Sequence, residues 1–197
     1  MPAQSPPRLV LASTSPYRRE LLARLRVPFE TFAPGVDEGA LINETPSDLA
    51  LRLACAKACA GQAAYPDALI IGCDQVAVVG STLLNKPGNH ARAVEQLTLI
   101  GGQTVSFYTA LCLLNARTSR QQSAITPFTV HMRKLTSAAI ERYLQMEKPY
   151  DCAGSARIEG LGITLVAGLA GNDHNALIGL PLIELCKMLG NEGIELP

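Results

Sequence analysis

The sequence of 197 residues contains no tryptophan, and aromatic residues make up only 5% of it. Proteins that stack bases along a single strand need more aromatic surface than this. Charge of one sign is lacking too: seventeen Lys and Arg balance seventeen Asp and Glu, for a net charge of zero. Nucleic-acid and membrane-surface proteins usually carry a basic excess. Neither partner is therefore expected, and a basic region, if present, is local. No apolar run is long enough to span a bilayer. The first residues hold Arg8 but no extended apolar stretch, so they do not read as a secretion signal. Asn43-Glu44-Thr45 matches a glycosylation acceptor, which without such a signal is expected to be chance. The six cysteines are Cys55, Cys59, Cys73, Cys112, Cys152 and Cys186. None form a C-x-x-C pair, and no second pair or nearby histidine completes a zinc set. They are expected to be reduced and mostly buried, which places the protein in the cytoplasm.

Several motifs are missing as well. There is no Walker A sequence and no G-x-G-x-x-G, so neither a P-loop NTPase nor a Rossmann dehydrogenase is supported. No serine sits in a nucleophile elbow. The three histidines, His90, His131 and His174, are widely spread and form no metal pair.

What is present is a globular pattern. Hydrophobic residues make up 48% of the chain, and a chain of this length buries about 70% of the surface its unfolded form exposes. Arg8 to Ala12 reads as a buried strand, followed by a helix from Pro16 to about Arg26 and a second strand from Pro28 to Ala33. Thr45-Pro46-Ser47-Asp48 opens the next helix with cap, proline and acid in their favoured places. Ala68 to Cys73 is an apolar strand ending at Asp74, and Val76 to Leu84 reads as its hairpin partner. His90 to Ile100 reads as a helix, and Thr104 to Leu114 and Ile125 to Arg133 as paired strands. A helix from Thr136 to Met146 with Thr136 as its cap, a strand from Ile163 to Val166 and a last helix from Pro181 to Leu189 complete the chain. Helices and strands alternate in the first half and strands pair antiparallel in the second, so a mixed α/β fold is expected. No repeat or linker divides it, and residues 1–197 read as a single domain.

The first helix is anomalous. Ser15 reads as its N-cap and Pro16 as its first residue, yet Arg18 and Arg19 occupy the first turn. The helix dipole is positive there, and each cation is disfavoured by roughly 0.3–1 kcal/mol. A helix start with free N–H groups and two guanidiniums suits a phosphate. The other reading is a pair of solvated surface arginines. Asp74, at the end of an apolar run, suits either a base or cation ligand or a turn cap. Asp37 and Glu38 lie in a loop. Lys57 lies at the edge of an alanine-rich buried stripe, and Lys86 sits in an Asn-Lys-Pro-Gly turn, where it is either a turn lysine or a phosphate contact.

Taken in order, these stretches resemble the Maf family. The pieces are Leu11-Ala-Ser13-Thr-Ser15-Pro-Tyr17-Arg18-Arg19-Glu-Leu-Leu, Val36-Asp37-Glu38, Lys57-Ala58, Ile71-Gly-Cys-Asp74-Gln75-Val, Lys86-Pro87, Tyr108-Thr109, Asp151-Cys-Ala153-Gly154 and Gly179-Leu180-Pro181. The resemblance implies a nucleoside-triphosphate pyrophosphatase that releases a nucleoside monophosphate and pyrophosphate. It implies a mixed twisted sheet flanked by helices, similar to the inosine-triphosphatase-like fold, with two lobes around a cleft, and a homodimer. It implies a divalent cation as cofactor, Mg2+, Mn2+ or Co2+, and a small-molecule nucleotide as substrate. Carried over by position, Asp74 is the acid–base residue, and Asp37, Glu38 and Asp74 hold metal. Ser13, Arg18, Arg19, Lys57 and Lys86 contact phosphates. Tyr17, Gln75 and Glu159 resemble the subgroup that prefers 7-methyl-guanosine triphosphate rather than the one acting on thymidine and uridine triphosphates. A methylated guanine carries positive charge, which an aromatic face attracts, and a carboxylate accepts hydrogen bonds from guanine's N1–H and 2-amino groups.

Overall fold

The computed structural model describes residues 7–197, so the first six residues of the expected domain lie outside the described residues. The chain forms two compact units, neither continuous in sequence. The first unit contains the chain through Gln75, Thr109–Thr126 and Asp173–Pro197, and the second contains Val76–Tyr108 and Pro127–Asn172.

The first unit is built on parallel strands. β1 (Leu9–Ala12) pairs with β2 (Glu30–Phe32) on one side and β3 (Leu69–Val79) on the other. Parallel strands need crossover connections, which α1 (Pro16–Ala23) and α2 (Pro46–Ala60) supply. All four residues of β1 are buried, as are the first six of β3. This accounts for their unbroken apolar character in a sheet covered on both faces. Leu9, Leu11, Leu69 and Ile71 join Leu21 and Leu22 of α1 and Leu185 and Leu189 of α6 (Leu182–Asn191) in one core.

Gly72 governs how closely α2 approaches the sheet. A Cβ at this position would lie 2.1 Å from the Ala54 carbonyl oxygen and 2.6 Å from the Ala58 nitrogen. Only glycine permits that contact. Asp74 follows two residues later, on the same face of the strand, and Lys57 occupies the helix between Ala54 and Ala58.

In the second unit, β3 turns back at Gly80 (φ +57°) into β4 (Thr82–Leu84). β6 (Arg120–Met132) pairs antiparallel with β7 (Val166–Gly171). The buried side chains Leu97 and Ile100 of α3 (His90–Ile100) and Ile140, Tyr143 and Leu144 of α4 (Ser137–Glu147) contribute to its interior. With β5 (Thr104–Asn115), the hydrogen-bonded strand order is β2-β1-β3-β5-β6-β7, with β4 on β3. This is the mixed α/β fold that the sequence pattern implies, with the helix-flanked sheet that the family resemblance implies.

Several sequence expectations need correction. The strand reaching Asp74 does not end there: β3 runs on to Val79, so the apolar run after Asp74 continues the strand and only its last part forms the hairpin partner. The first helix stops at Ala23 rather than Arg26, because the next three N–H groups bond three residues back and Arg26 turns left-handed (φ 55°). Leu161–Leu165 form a 3-10 turn, and the strand expected there starts at Val166. A short helix, α5 (His174–Ile178), was not anticipated. All six cysteines are free, as expected, but only Cys73 and Cys112 are buried, while Cys59 is exposed and the other three are half-buried.

Candidate active site

The parallel register between β1 and β3 ends at Ala12 and Gly72. Just beyond that last pair lie most of the first unit's expected site residues. Ser13 is buried, and its Oγ accepts from the Ser15 N–H at 3.1 Å. Ser15 caps α1 by accepting from the Arg18 N–H at 3.4 Å, with Pro16 as the first helical residue and no acid in the first turn. Arg18 Nε donates to the Gly179 carbonyl at 2.9 Å, and the Cys73 thiol donates to the same oxygen at 3.0 Å. Gly179 follows α5 with φ 129°, a value that side chains other than hydrogen rarely adopt. Arg19 is exposed.

Asp74 is buried, and its Oδ1 lies 2.6 Å from Lys57 Nζ. The same ammonium pairs with Glu38 Oε1 at 2.5 Å. Burial pushes the Asp74 carboxyl above its ordinary range; Lys57 and, more weakly, Arg18 oppose that shift, and Glu38 adds to it. Burial likewise pushes the neighbouring Cys73 thiol up, to about 11, so it stays protonated. The loop that presents Glu38 is itself held. Arg52 Nη2 donates to the Gly39 carbonyl at 2.8 Å, and Arg52 makes a forked contact with Glu44, at 2.6 and 2.9 Å. Glu44 also accepts from the Leu41 N–H at 2.9 Å, and Arg52 and this N–H hold its carboxyl down at about 2.

The three carboxylates expected to bind metal do not converge equally. Both loop acids are exposed, but Glu38 shares one cation with Asp74, whereas Asp37 Oδ1 accepts from the Gly39 N–H at 2.9 Å. No group of three His, Cys, Asp or Glu that could hold a metal ion occurs among the described residues. Two hard oxygen donors, Glu38 and Asp74, still fit a magnesium-like ion, which takes one or two carboxylates and completes its shell with water and other oxygens.

Gln75 is held by its amide nitrogen. Nε2 donates to Thr109 Oγ1 and to the carbonyls of Ala176 and Leu177, at 2.9, 2.9 and 3.0 Å. Thr109, fully buried, donates in turn to the Ala176 carbonyl at 2.8 Å. Tyr17 is half-buried on α1. The remaining expected residues belong to the second unit: Lys86 is exposed in the loop after β4, and Glu159 follows the Ala153–Ser155 turn, with Oε1 3.5 Å from Arg157 Nε. Sequence reasoning missed Arg52, Glu44 and Gly179 as supports. Only Gly179 left a signal, through the Gly-Leu-Pro stretch. The Arg52–Glu44 contact spans a loop and a helix and leaves none.

Residues 8–192 match the family model described as Maf-like protein. A Methylobacillus flagellatus protein named 7-methyl-GTP pyrophosphatase is 53% identical over 189 residues, covering 96% of this chain and 98% of that protein. Proteins of the same name from Nitrosococcus oceani and Thiobacillus denitrificans are 53% and 55% identical, covering 98% and 96% of this chain and 97% and 94% of their own. A solved HAM1 protein from Coxiella burnetii aligns at TM-score 0.41 and 10% identity, over 64% of this chain and 73% of that one, a likeness too slight to add to these.

Proposed function

The chain belongs to the Maf family, and on that premise we propose that it hydrolyses 7-methyl-GTP to 7-methyl-GMP and pyrophosphate, with Asp74 taking the proton of the attacking water. The names of relatives just over half identical along nearly their whole length support the substrate and the reaction. The observation that carries the assignment of Asp74 is its position: a buried carboxylate held by Lys57, beside a helix start that carries arginines where acids belong.

Phosphoryl chemistry is mostly positioning and charge neutralisation. The bond formed is from water oxygen to the α-phosphorus. The bond broken is the α–β anhydride, and pyrophosphate leaves with that bond's electron pair. Asp74, made more basic by burial, accepts the proton. Lys57 fixes the carboxylate's orientation. Ser13, Arg18, Arg19 and the start of α1 contact phosphate oxygens, with Lys86 as a further contact. Glu38 and Asp74 would hold a divalent cation together with the substrate's own oxygens, and that ion supplies charge neutralisation at the phosphates. Tyr17 faces the charged base, and Gln75 and Glu159 select it. The proposal includes a homodimer located in the cytoplasm. No helix among the described residues is long and apolar enough to cross a membrane.

A substrate panel tests this reading. With magnesium, manganese or cobalt titrated in, 7-methyl-GTP should be cleaved to the monophosphate and pyrophosphate well ahead of GTP, UTP and TTP. Equal rates on UTP and TTP overturn the base assignment. Tight nucleotide binding without turnover at any metal concentration overturns the enzymatic one and favours a nucleotide-binding regulator of cell division.

A further inference from the structure

Glu147 is the last residue of α4, at the negative end of the helix dipole, where an acid is disfavoured. Its side chain is only 13% exposed and is engaged on both oxygens. Oε1 lies 3.3 Å from Arg157 Nη1, and Oε2 accepts from the Leu161 N–H at 2.9 Å. The backbone is shaped around it: a Cβ on Gly160 would lie 2.6 Å from Glu147 Oε1. Arg157 is also fixed through its backbone, whose N–H donates to the Tyr143 hydroxyl at 2.9 Å. Its buried Nε faces Glu159 Oε1 at 3.5 Å. The guanidinium thus stands between two carboxylates, one turned inward and one the expected contact of the base.

Formal charge gives this arrangement a purpose. Two carboxylates and one guanidinium leave a charge of −1. Tyr143 does not alter the count: burial, with Glu147 and Glu159 nearby, pushes its phenol well above its usual range, and it stays neutral. Without Glu147, Arg157 and Glu159 would cancel, and this cluster would offer no net charge. Guanine is neutral, whereas guanine methylated at N7 carries one positive charge. A cluster of charge −1 favours the second over the first by an electrostatic difference that hydrogen bonds alone do not supply.

We propose that Glu147 and Arg157 are positioning residues for base selection: Arg157 orients the Glu159 carboxylate, and Glu147 neutralises Arg157 so that the Glu159 charge remains available to a cationic base. The inference rests on the reading of Glu159 as a base contact, and the experiment separates the two. kcat and KM are measured on 7-methyl-GTP and GTP for the wild type, Glu147→Gln, Arg157→Lys and Glu159→Gln, with thermal melts of each. Glu147→Gln keeps an acceptor for the Leu161 N–H and removes one charge. It should lower the preference for 7-methyl-GTP over GTP by roughly tenfold, through KM, with kcat little changed. Arg157→Lys keeps the charge but loses the rigid fork. It should raise KM for both substrates about fivefold and leave their ratio alone, and it carries the test if the glutamine variant does not fold. Glu159→Gln should collapse the ratio. A ratio within twofold of wild type in Glu147→Gln, with Glu159→Gln collapsed, overturns the proposal and leaves the base contact standing, as does an unchanged KM in Arg157→Lys. A ratio unchanged in Glu159→Gln overturns the base contact itself.

Discussion

Lys57 Nζ lies 2.6 Å from Asp74 Oδ1, and both side chains are buried. The contact holds the carboxylate in one orientation without abolishing its basicity, because burial outweighs the lysine in setting its protonation. Replacing Asp74 by Asn should lower kcat by about 10²–10⁴-fold, the span attributed to a positioned proton acceptor. The fold should survive. A carboxyl whose pKa is raised on folding favours the folded state below that pKa and opposes it above, so a neutral amide there costs no stability at neutral pH. Lys57 also keeps Glu38 as a partner. The melting temperature should stay within about 4 °C of wild type, the shift expected of roughly 1 kcal/mol in a chain of this size. Calorimetry and pyrophosphate release measured on the same preparation check both halves.

The pH profile should carry the same signature. Asp74 must be ionised to accept a proton, so activity is lost as pH falls through its folded pKa. Since burial raises that pKa above the usual aspartate value, the acid limb of kcat/KM should lie above the ordinary carboxylate range. Lys57 is the largest influence opposing the shift. Lys57→Met should therefore move the limb to higher pH. A limb that stays put or moves down assigns the titration to another group.

The two neighbouring acids of the loop should behave differently. Glu38 reaches Lys57, while Asp37 closes a turn on the Gly39 N–H. Glu38→Gln should raise the metal concentration needed for half-maximal activity about tenfold or more, since one of two hard donors is lost. Asp37→Asn keeps an oxygen acceptor for the turn and should leave the metal requirement within about twofold, because its carboxylate meets the Gly39 N–H rather than Lys57. Metal titrations of the two variants, side by side, decide between them.

Gly72 should tolerate no substitution. Gly72→Ala places a methyl group 2.1 Å from the Ala54 carbonyl oxygen, against backbone that cannot rotate away. Overpacking of this kind costs about 1–3 kcal/mol. Because the displaced helix carries Lys57, activity should fall further than the loss of folded protein explains. Denaturant melts paired with kcat on the folded fraction measure the difference.

How much of this was legible in the sequence depended on the range of the interaction. Thr45 and Thr136 cap their helices through contacts three residues away, and both were readable. So was the misplaced charge at Arg18 and Arg19, which is a local contradiction. Asp74 was located but its strand was cut short, because a lone acid in an apolar run reads as a boundary. The ammonium that pairs with that acid comes from α2, seventeen residues back along the chain. α5 is too short for a helical period, and its cap Asp173 is buried by a contact with the Ile183 N–H beyond Gly179. β7 is rich in Gly and Ala, with no residue pattern to announce a strand. The Glu147–Arg157–Glu159 cluster had no local signal beyond an acid at the wrong end of a helix.

One consequence follows from the way Gln75 is tethered. Its amide N–H groups point to three oxygens of the protein itself. To any molecule arriving from solution, such a glutamine is no longer an ambidextrous amide. It is a carbonyl with a fixed polarity, welcoming donors and indifferent to acceptors. In the base-selecting role proposed for Gln75, the fold has decided in advance which edge of a base it answers.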